Sequence, residues 1–172
     1  LAAANQTKKS IPQEPAQGMI AWTAIIIATA GGSGYAPVAP GTMGTIVAVG
    51  FYWLIKWWHV PEVGYILIAI MTTLLGIWAA KYAGRHFGQI DAGQIVIDEV
   101  AGFLVTMIAS PFSWPAIIVG FTLFRLLDIY KPWPARYFDR QVANNWGVIL
   151  DDVAAGLYGC LILQLLHYWH WL

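Results

Sequence analysis

Cysteine occurs once, at Cys160. That excludes an internal disulfide framework and a cysteine-rich zinc site. Charge is scarce: charged residues make up 10% of the 172, against about 25% in typical soluble domains. Nine basic residues balance nine acidic ones, so the basic excess that marks a nucleic-acid-binding protein is missing. No internal repeat or low-complexity array is present. What is abundant is apolar: 59% of residues are hydrophobic and 15% aromatic, ten of them Trp. A chain this short cannot hide so much apolar surface in one core. An ordinary soluble globule and a disordered chain are therefore excluded, and an all-α, polytopic membrane bundle is expected.

The distribution of charge sharpens this. No charged residue lies between Glu14 and Lys56, between Glu62 and Lys81, or between Glu99 and Arg125, and none follows Asp152. Residues 1–18 read as a flexible tail without a clear signal-cleavage site, and 19–172 as one helical domain. The apolar run 20–30 is too short to span, since a span needs about 20 residues. It meets the Gly/Pro-rich break GGSGYAPVAPGTMG over 31–44, so an interfacial or re-entrant helix is expected there. Spans are expected over 42–58, 63–80 and 148–172. The uncharged stretch 100–124 carries Pro111 and Pro115, which break helices. It reads as two arms, 98–110 and 114–130, with one kinked helix as the alternative. About four to five membrane-associated spans result. The two-arm reading gathers Lys8, Lys9, Lys81, Arg85, Lys131, Arg136 and Arg140 on one side and leaves only Lys56 on the other. The first side should be cytoplasmic. His59, His167 and His170 fall at the opposite end and read as interfacial residues.

Seven of the nine acids lie between Asp91 and Asp152. The topology brings Asp98, Glu99, Arg125, Asp128, Lys131, Asp139, Asp151 and Asp152 to one membrane face. A carboxylate within a span costs about 2.5–3.5 kcal/mol on insertion scales. Convergence on a cation would offset that cost. With no soft ligands, an oxygen-only set of Asp98, Glu99, Asp128, Asp151 and Asp152 suits Mg²⁺ first and Mn²⁺ next. The plainer reading is that acids at helix starts complement the macrodipole, at about 0.3–1 kcal/mol each. That accounts for one pair more easily than for two pairs and Asp128. Gly102 lies one turn beyond Asp98, and Gly156 one turn beyond Asp152. Small residues there would let the two helices approach closely. Backbone N–H groups of Gly41, Thr42 and Gly44, where the Gly/Pro-rich loop enters a helix, could hold a phosphate, and a structural turn serves equally well.

Four segments together resemble the phosphatidylglycerophosphatase A family: VAPGTMG at 38–44, IDEVAG at 97–102, FRLLDIYKPWP at 124–134 with Phe138 and Asp139, and GVILDDVAAG at 147–156. The match is loosest over 81–95, where only Asp91 is carried over. The resemblance implies a Mg²⁺-dependent lipid phosphatase of the bacterial inner membrane. It would convert phosphatidylglycerophosphate and water to phosphatidylglycerol and phosphate, with its site facing the cytoplasm. Asp98, Glu99, Asp128 and Asp152 would be catalytic, and Arg125, Lys131 and Arg140 would clamp the phosphate. A metal-activated water is the preferred nucleophile, with an Asp nucleophile as the alternative. Cys160 has no downstream Arg and no Asp-x-Asp pair exists, so two other phosphatase chemistries lack their parts. The competing class is a small membrane transporter or ion-binding protein, which would hold its carboxylates near the midplane. Membrane lipids are the expected partners, and the sequence leaves oligomeric state open.

Overall fold

The computed structural model describes residues 10–142, 144–169 and 171. Lys8 and Lys9, with the first part of the tail, and His170 and Leu172 lie outside them. The described residues form seven α-helices: α1 (Gly18–Ala28), α2 (Pro40–Trp57), α3 (Glu62–Phe87), α4 (Ile97–Thr106), α5 (Trp114–Tyr130), α6 (Ala135–Gln141) and α7 (Asn145–Tyr168). A single 3₁₀ turn, Ser33–Tyr35, precedes α2. There is no β-strand among the described residues, only a bridge between Ser10 and Gln89.

Residues ahead of α1 lie against the end of α3. Ile11 N donates to Gly88 O at 3.0 Å, and Glu14 N donates to Arg85 O at 2.9 Å. Ala16 N donates to His86 Nδ1 at 3.2 Å. The far end of α1 is tied to the segment before α4, where Val96 N donates to Ala28 O at 2.9 Å. Both ends of α1 are thus held at one end of the bundle, the end at which α3 finishes and α4 begins.

The stretch 100–124 divides into two helices. α4 stops at Thr106, and α5 starts after Ser113, whose hydroxyl accepts from Ala116 N at 3.3 Å. Pro115 stands in the first turn of α5, where its missing N–H costs nothing. α4 has 10 residues and so extends about 15 Å, half of a hydrocarbon core about 30 Å thick. It cannot cross. Two helices, α3 and α7, are long and apolar enough to cross a membrane. These are two of the four to five expected: among the described residues α1, α4 and α5 are shorter, and α2, with 18 residues, is diluted by glycines, polar residues and Lys56. Large apolar side chains still face outward, among them Trp53, Leu67, Met71, Ile118, Leu161 and Leu165. So much outward apolar surface suits contact with lipid.

α4 sits at the centre, packed against α2, α3, α5 and α7, most extensively against α7. Phe103, Leu104 and Met107 of α4 are fully buried with Tyr52, Tyr65, Phe124 and Ile149. The α4–α7 crossing is a backbone contact. A Cβ on Gly102 would lie 2.7 Å from the Asp152 carbonyl oxygen, and a Cβ on Gly156 would collide with the Gly102 carbonyl oxygen. Thr106 Oγ1 donates to Gly102 O at 3.0 Å and reaches Gly156 O at 3.4 Å. Asn144 caps α7 through its Oδ1, which accepts from Trp146 N at 2.9 Å and from Gly147 N at 3.3 Å.

Adding volume at the crossing must push two backbones apart. Gly156→Val is expected to cost about 3 kcal/mol, read as a lower melting temperature in detergent. Gly50→Ala, where a Cβ meets nothing within 4 Å, should leave that temperature unchanged or raise it, since Ala is the better helix former. Equal melting of Gly156→Val and wild type would contradict the crossing.

Candidate active site

The crossing has a chemical consequence. It stacks the first turn of α4, with Asp98 and Glu99, against the second turn of α7, with Asp151 and Asp152. Asp98, Asp151 and Asp152 keep only 8%, 5% and 3% of their surface. α5 brings Arg125 and Asp128 to the same place and ends there. Lys131 closes α5 in the left-handed region, at φ 49°. A non-glycine residue there is strained by about 1 kcal/mol or more, and its side chain lies among the acids.

The acids divide into two groups. Asp98, Glu99 and Asp152 each present an oxygen within 4.8 Å of the other two. Neither cation of the site makes a close contact with Asp98. Glu99 Oε2 is buried and has no hydrogen-bond partner among the described residues. The second group is paired. Arg125 Nη1 donates to Asp128 Oδ2 at 2.7 Å and lies 3.8 Å from Glu99 Oε1. Lys131 Nζ makes a short hydrogen bond to Asp151. It also lies 3.7 Å from Asp128, 3.8 Å from Asp139 and 3.9 Å from Asp152. Burial alone would pull the Lys131 ammonium down. The carboxylates of Asp152, Asp151 and Asp128 outweigh it and hold the group above the ordinary lysine range. Lys131 therefore stays charged.

Six carboxylates thus face two cations. Removing so much negative charge from water is costly unless it is matched. The Asp98–Glu99–Asp152 group is where positive charge is missing, and the orphaned Glu99 oxygen points to the same place. A donor set of three carboxylates fits a hard cation.

The start of α2 closes one side. A Cβ on Gly41 would collide with Glu99 Oε1 and lie 3.2 Å from Arg125 Nη1. α2 has no side-chain cap, and the first amides of a helix have no intrahelical partner. Gly41 and Thr42 therefore belong to a turn that abuts Glu99 and Arg125. Gly44, two residues after Thr42, lies against Val96, where a Cβ would come within 2.7 Å; its place is a packing contact. Arg140 is exposed on α6 and makes no ion pair among the described residues. Asp91 is near enough to Asp98 for its charge to act there. Asp139, which the sequence places on the same membrane face without a role of its own, is an ion-pair partner of Lys131.

An all-helical protein with apolar outer surface, an acid cluster at one end and two charged bases among the acids has the parts of a lipid-processing hydrolase. Comparison with known proteins gives the family. The profile of phosphatidylglycerophosphatase A matches residues 26–167. Phosphatidylglycerophosphatase A of Escherichia coli K12 is 36% identical over 84% of this chain and 84% of its own length. The Haemophilus influenzae protein of the same name is 32% identical over 84% of this chain and 88% of its own. A Bacteroides thetaiotaomicron protein, provisionally named a phosphatidylinositol-3-phosphatase, is 32% identical over 81% of this chain and 90% of its own. No solved structure matches. The chain belongs to the phosphatidylglycerophosphatase A family, as the four sequence segments lead one to expect.

Lys131 offers a test of the charge balance. Its removal leaves Asp151 buried without its cation, while Asp128 keeps Arg125, so Lys131→Met is expected to cost about 3–5 kcal/mol. Arg140→Met, at an exposed position, should stay within about 0.5 kcal/mol of wild type. Thermal unfolding of both variants in detergent checks this. Equal melting temperatures would mean that Lys131 does not balance the cluster.

Proposed function

We propose that this protein is a lipid phosphomonoesterase. It hydrolyses phosphatidylglycerophosphate to phosphatidylglycerol and phosphate, using a divalent cation, Mg²⁺ first and Mn²⁺ next. The observation that carries the reading is the unpartnered, buried oxygen of Glu99 beside Asp98 and Asp152, in a chain with two relatives named phosphatidylglycerophosphatase A. Asp98, Glu99 and Asp152 would hold the cation. When bound it supplies Lewis-acid stabilisation of the negative charge on phosphoryl oxygens.

The chain's own residues do the rest. The N–H groups of Gly41 and Thr42, at the uncapped start of α2, donate to phosphate oxygens in this reading. Arg125 and Lys131 supply positive charge where negative charge develops in the transition state, turning from their carboxylate partners toward the substrate. A carboxylate of the cluster takes a proton from the attacking water. The water oxygen bonds to phosphorus, the phosphorus–ester oxygen bond breaks, and the leaving glycerol oxygen takes up a proton. Arg140, on the exposed face of α6, is placed to attract the anionic headgroup before it binds. The site end also carries Lys81, Arg85, Arg136 and Arg140, against Lys56 at the other end. This asymmetry supports a multi-pass protein of the bacterial inner membrane whose site faces the cytoplasm. The same placement of acids at one end argues against a transporter, whose site belongs at the midplane.

Sealed inside-out vesicles test the cation and the face together. External EDTA should abolish phosphate release from phosphatidylglycerophosphate, and excess Mg²⁺ should restore it. Right-side-out vesicles should not respond. Asp98→Asn should lower turnover at least about tenfold and weaken Mg²⁺ activation, since even outer partners of a metal cost about 10–100-fold. Full activity in EDTA on both faces would overturn the cation and the sidedness together.

A further inference from the structure

One cavity borders the acid cluster without belonging to it. It is an open groove of about 400 Å³, lined by Gly34, Tyr35, Ala36, Pro37 and Pro40 on one wall and by Gln89, Gly93 and Gln94 on the other. The two walls are locked together by a backbone contact: a Cβ on Gly34 would collide with the Gln94 carbonyl oxygen. The groove meets the site at two places. Pro40 lines it, and the next residue, Gly41, packs on Glu99 and Arg125. Gln94 lines it, and the same strand of chain runs on through Val96 into Asp98 and Glu99.

Its chemistry differs from that of the site. No charged side chain lines it, so it suits neither a second phosphate nor a cation. Two carboxamides, which both donate and accept, stand opposite a short run of exposed backbone. Gln94 is half-buried and Gln89 exposed, which leaves both within reach of a ligand. The amides of Gly34, Tyr35 and Ala36 are already bonded within their own turn, and Pro37 and Pro40 have none. The polar groups that the groove offers a ligand are therefore the two carboxamides, which are complementary to hydroxyl groups because both donate and accept.

We propose that this groove binds the hydroxylated alcohol portion of the phosphomonoester substrate, glycerol in the proposed reaction, through Gln94 and Gln89 while the phosphate lies at the start of α2. The proposal rests on the lipid-phosphatase reading and adds the residues that select the alcohol. The groove adjoins the start of α2 through Pro40, so the ester oxygen of a phosphate held there can be directed into it. The groove is uncharged, and its carboxamides offer an alcohol both a donor and an acceptor. A lipid whose phosphate is attached directly to diacylglycerol leaves the carboxamides without partners.

The test compares phosphatidylglycerophosphate with acyl-matched phosphatidic acid, which has the phosphomonoester and lacks the intervening glycerol and its phosphodiester; the carboxamide variants separate the glycerol's contribution from the phosphodiester's. Wild type is expected to prefer phosphatidylglycerophosphate in kcat/KM. Gln94→Leu removes the hydrogen bonds and Gln94→Glu keeps the shape while adding charge. Both should lower that preference by roughly fivefold, the scale of one lost hydrogen bond, with the loss falling on phosphatidylglycerophosphate. Two substitutions of different character, each checked by its melting temperature, guard against a folding artefact. An unchanged ratio in both variants, with wild-type preference intact, would overturn the groove assignment and leave the lipid-phosphatase reading standing. Wild-type protein releasing no phosphate from either lipid would overturn that reading, and the groove assignment with it.

Discussion

The contact on which the rest depends is the approach of α4 and α7 at Gly102 and Gly156. In lipid there is little hydrophobic force between helices, and association relies on close packing and hydrogen bonds. Two glycines set backbone against backbone, and the Thr106 hydroxyl bonds across the gap. One turn away, the same geometry forces Asp98 and Glu99 against Asp151 and Asp152. The protein cannot have the tight crossing without the buried charge, because glycines and acids share the same helix faces.

The remaining elements answer that charge. α5 delivers Arg125 and Lys131, the latter by ending in a left-handed conformation that a lysine does not ordinarily favour. α6 returns Asp139 to Lys131, and α2 lays its first turn on Glu99. The network is neutralised where Arg125 and Lys131 reach and is left negative at Asp98, Glu99 and Asp152. In the proposed reading, a site short of positive charge, beside two cations and a helix terminus without a side-chain cap, would receive a cation and a phosphate together.

Much of this was legible in the sequence, for identifiable reasons. The break between α4 and α5 followed from Pro111 and Pro115, and the last helix from the apolar run after Asp151 and Asp152, although it begins at Asn145, capped by Asn144, rather than at 148. The spacing of Gly102 from Asp98 and of Gly156 from Asp152 announced the crossing, since a period of 3.6 puts them on shared faces. Arg125 and Asp128, three apart, share a helix face and form an ion pair, although the sequence alone places Asp128 among the cation ligands and Arg125 on the phosphate. The number of spans was not legible. Apolar composition does not distinguish a helix that crosses lipid from one enclosed by its neighbours, and α4 is of the second kind. Nor does composition reveal which acids are paired and which are open. Asp151 and Asp152 are adjacent in sequence, yet one meets Lys131 closely and the other faces Asp98 and Glu99. The groove beside α2 was hidden for a related reason: it is built by Gly34 and Gln94, sixty residues apart in the chain, from segments with little hydrophobic pattern.

The central claim is that Asp98, Glu99 and Asp152 form one cation site. Binding of Mn²⁺ to the purified full-length protein in detergent, followed by the loss of the free-ion signal in electron paramagnetic resonance, tests it without reference to turnover. Wild type should take up Mn²⁺, Mg²⁺ should compete for it, and Asp152→Asn should weaken binding at least about tenfold while Arg140→Met leaves it unchanged. Uptake by Asp152→Asn equal to that of wild type, or none by wild type, would contradict the account.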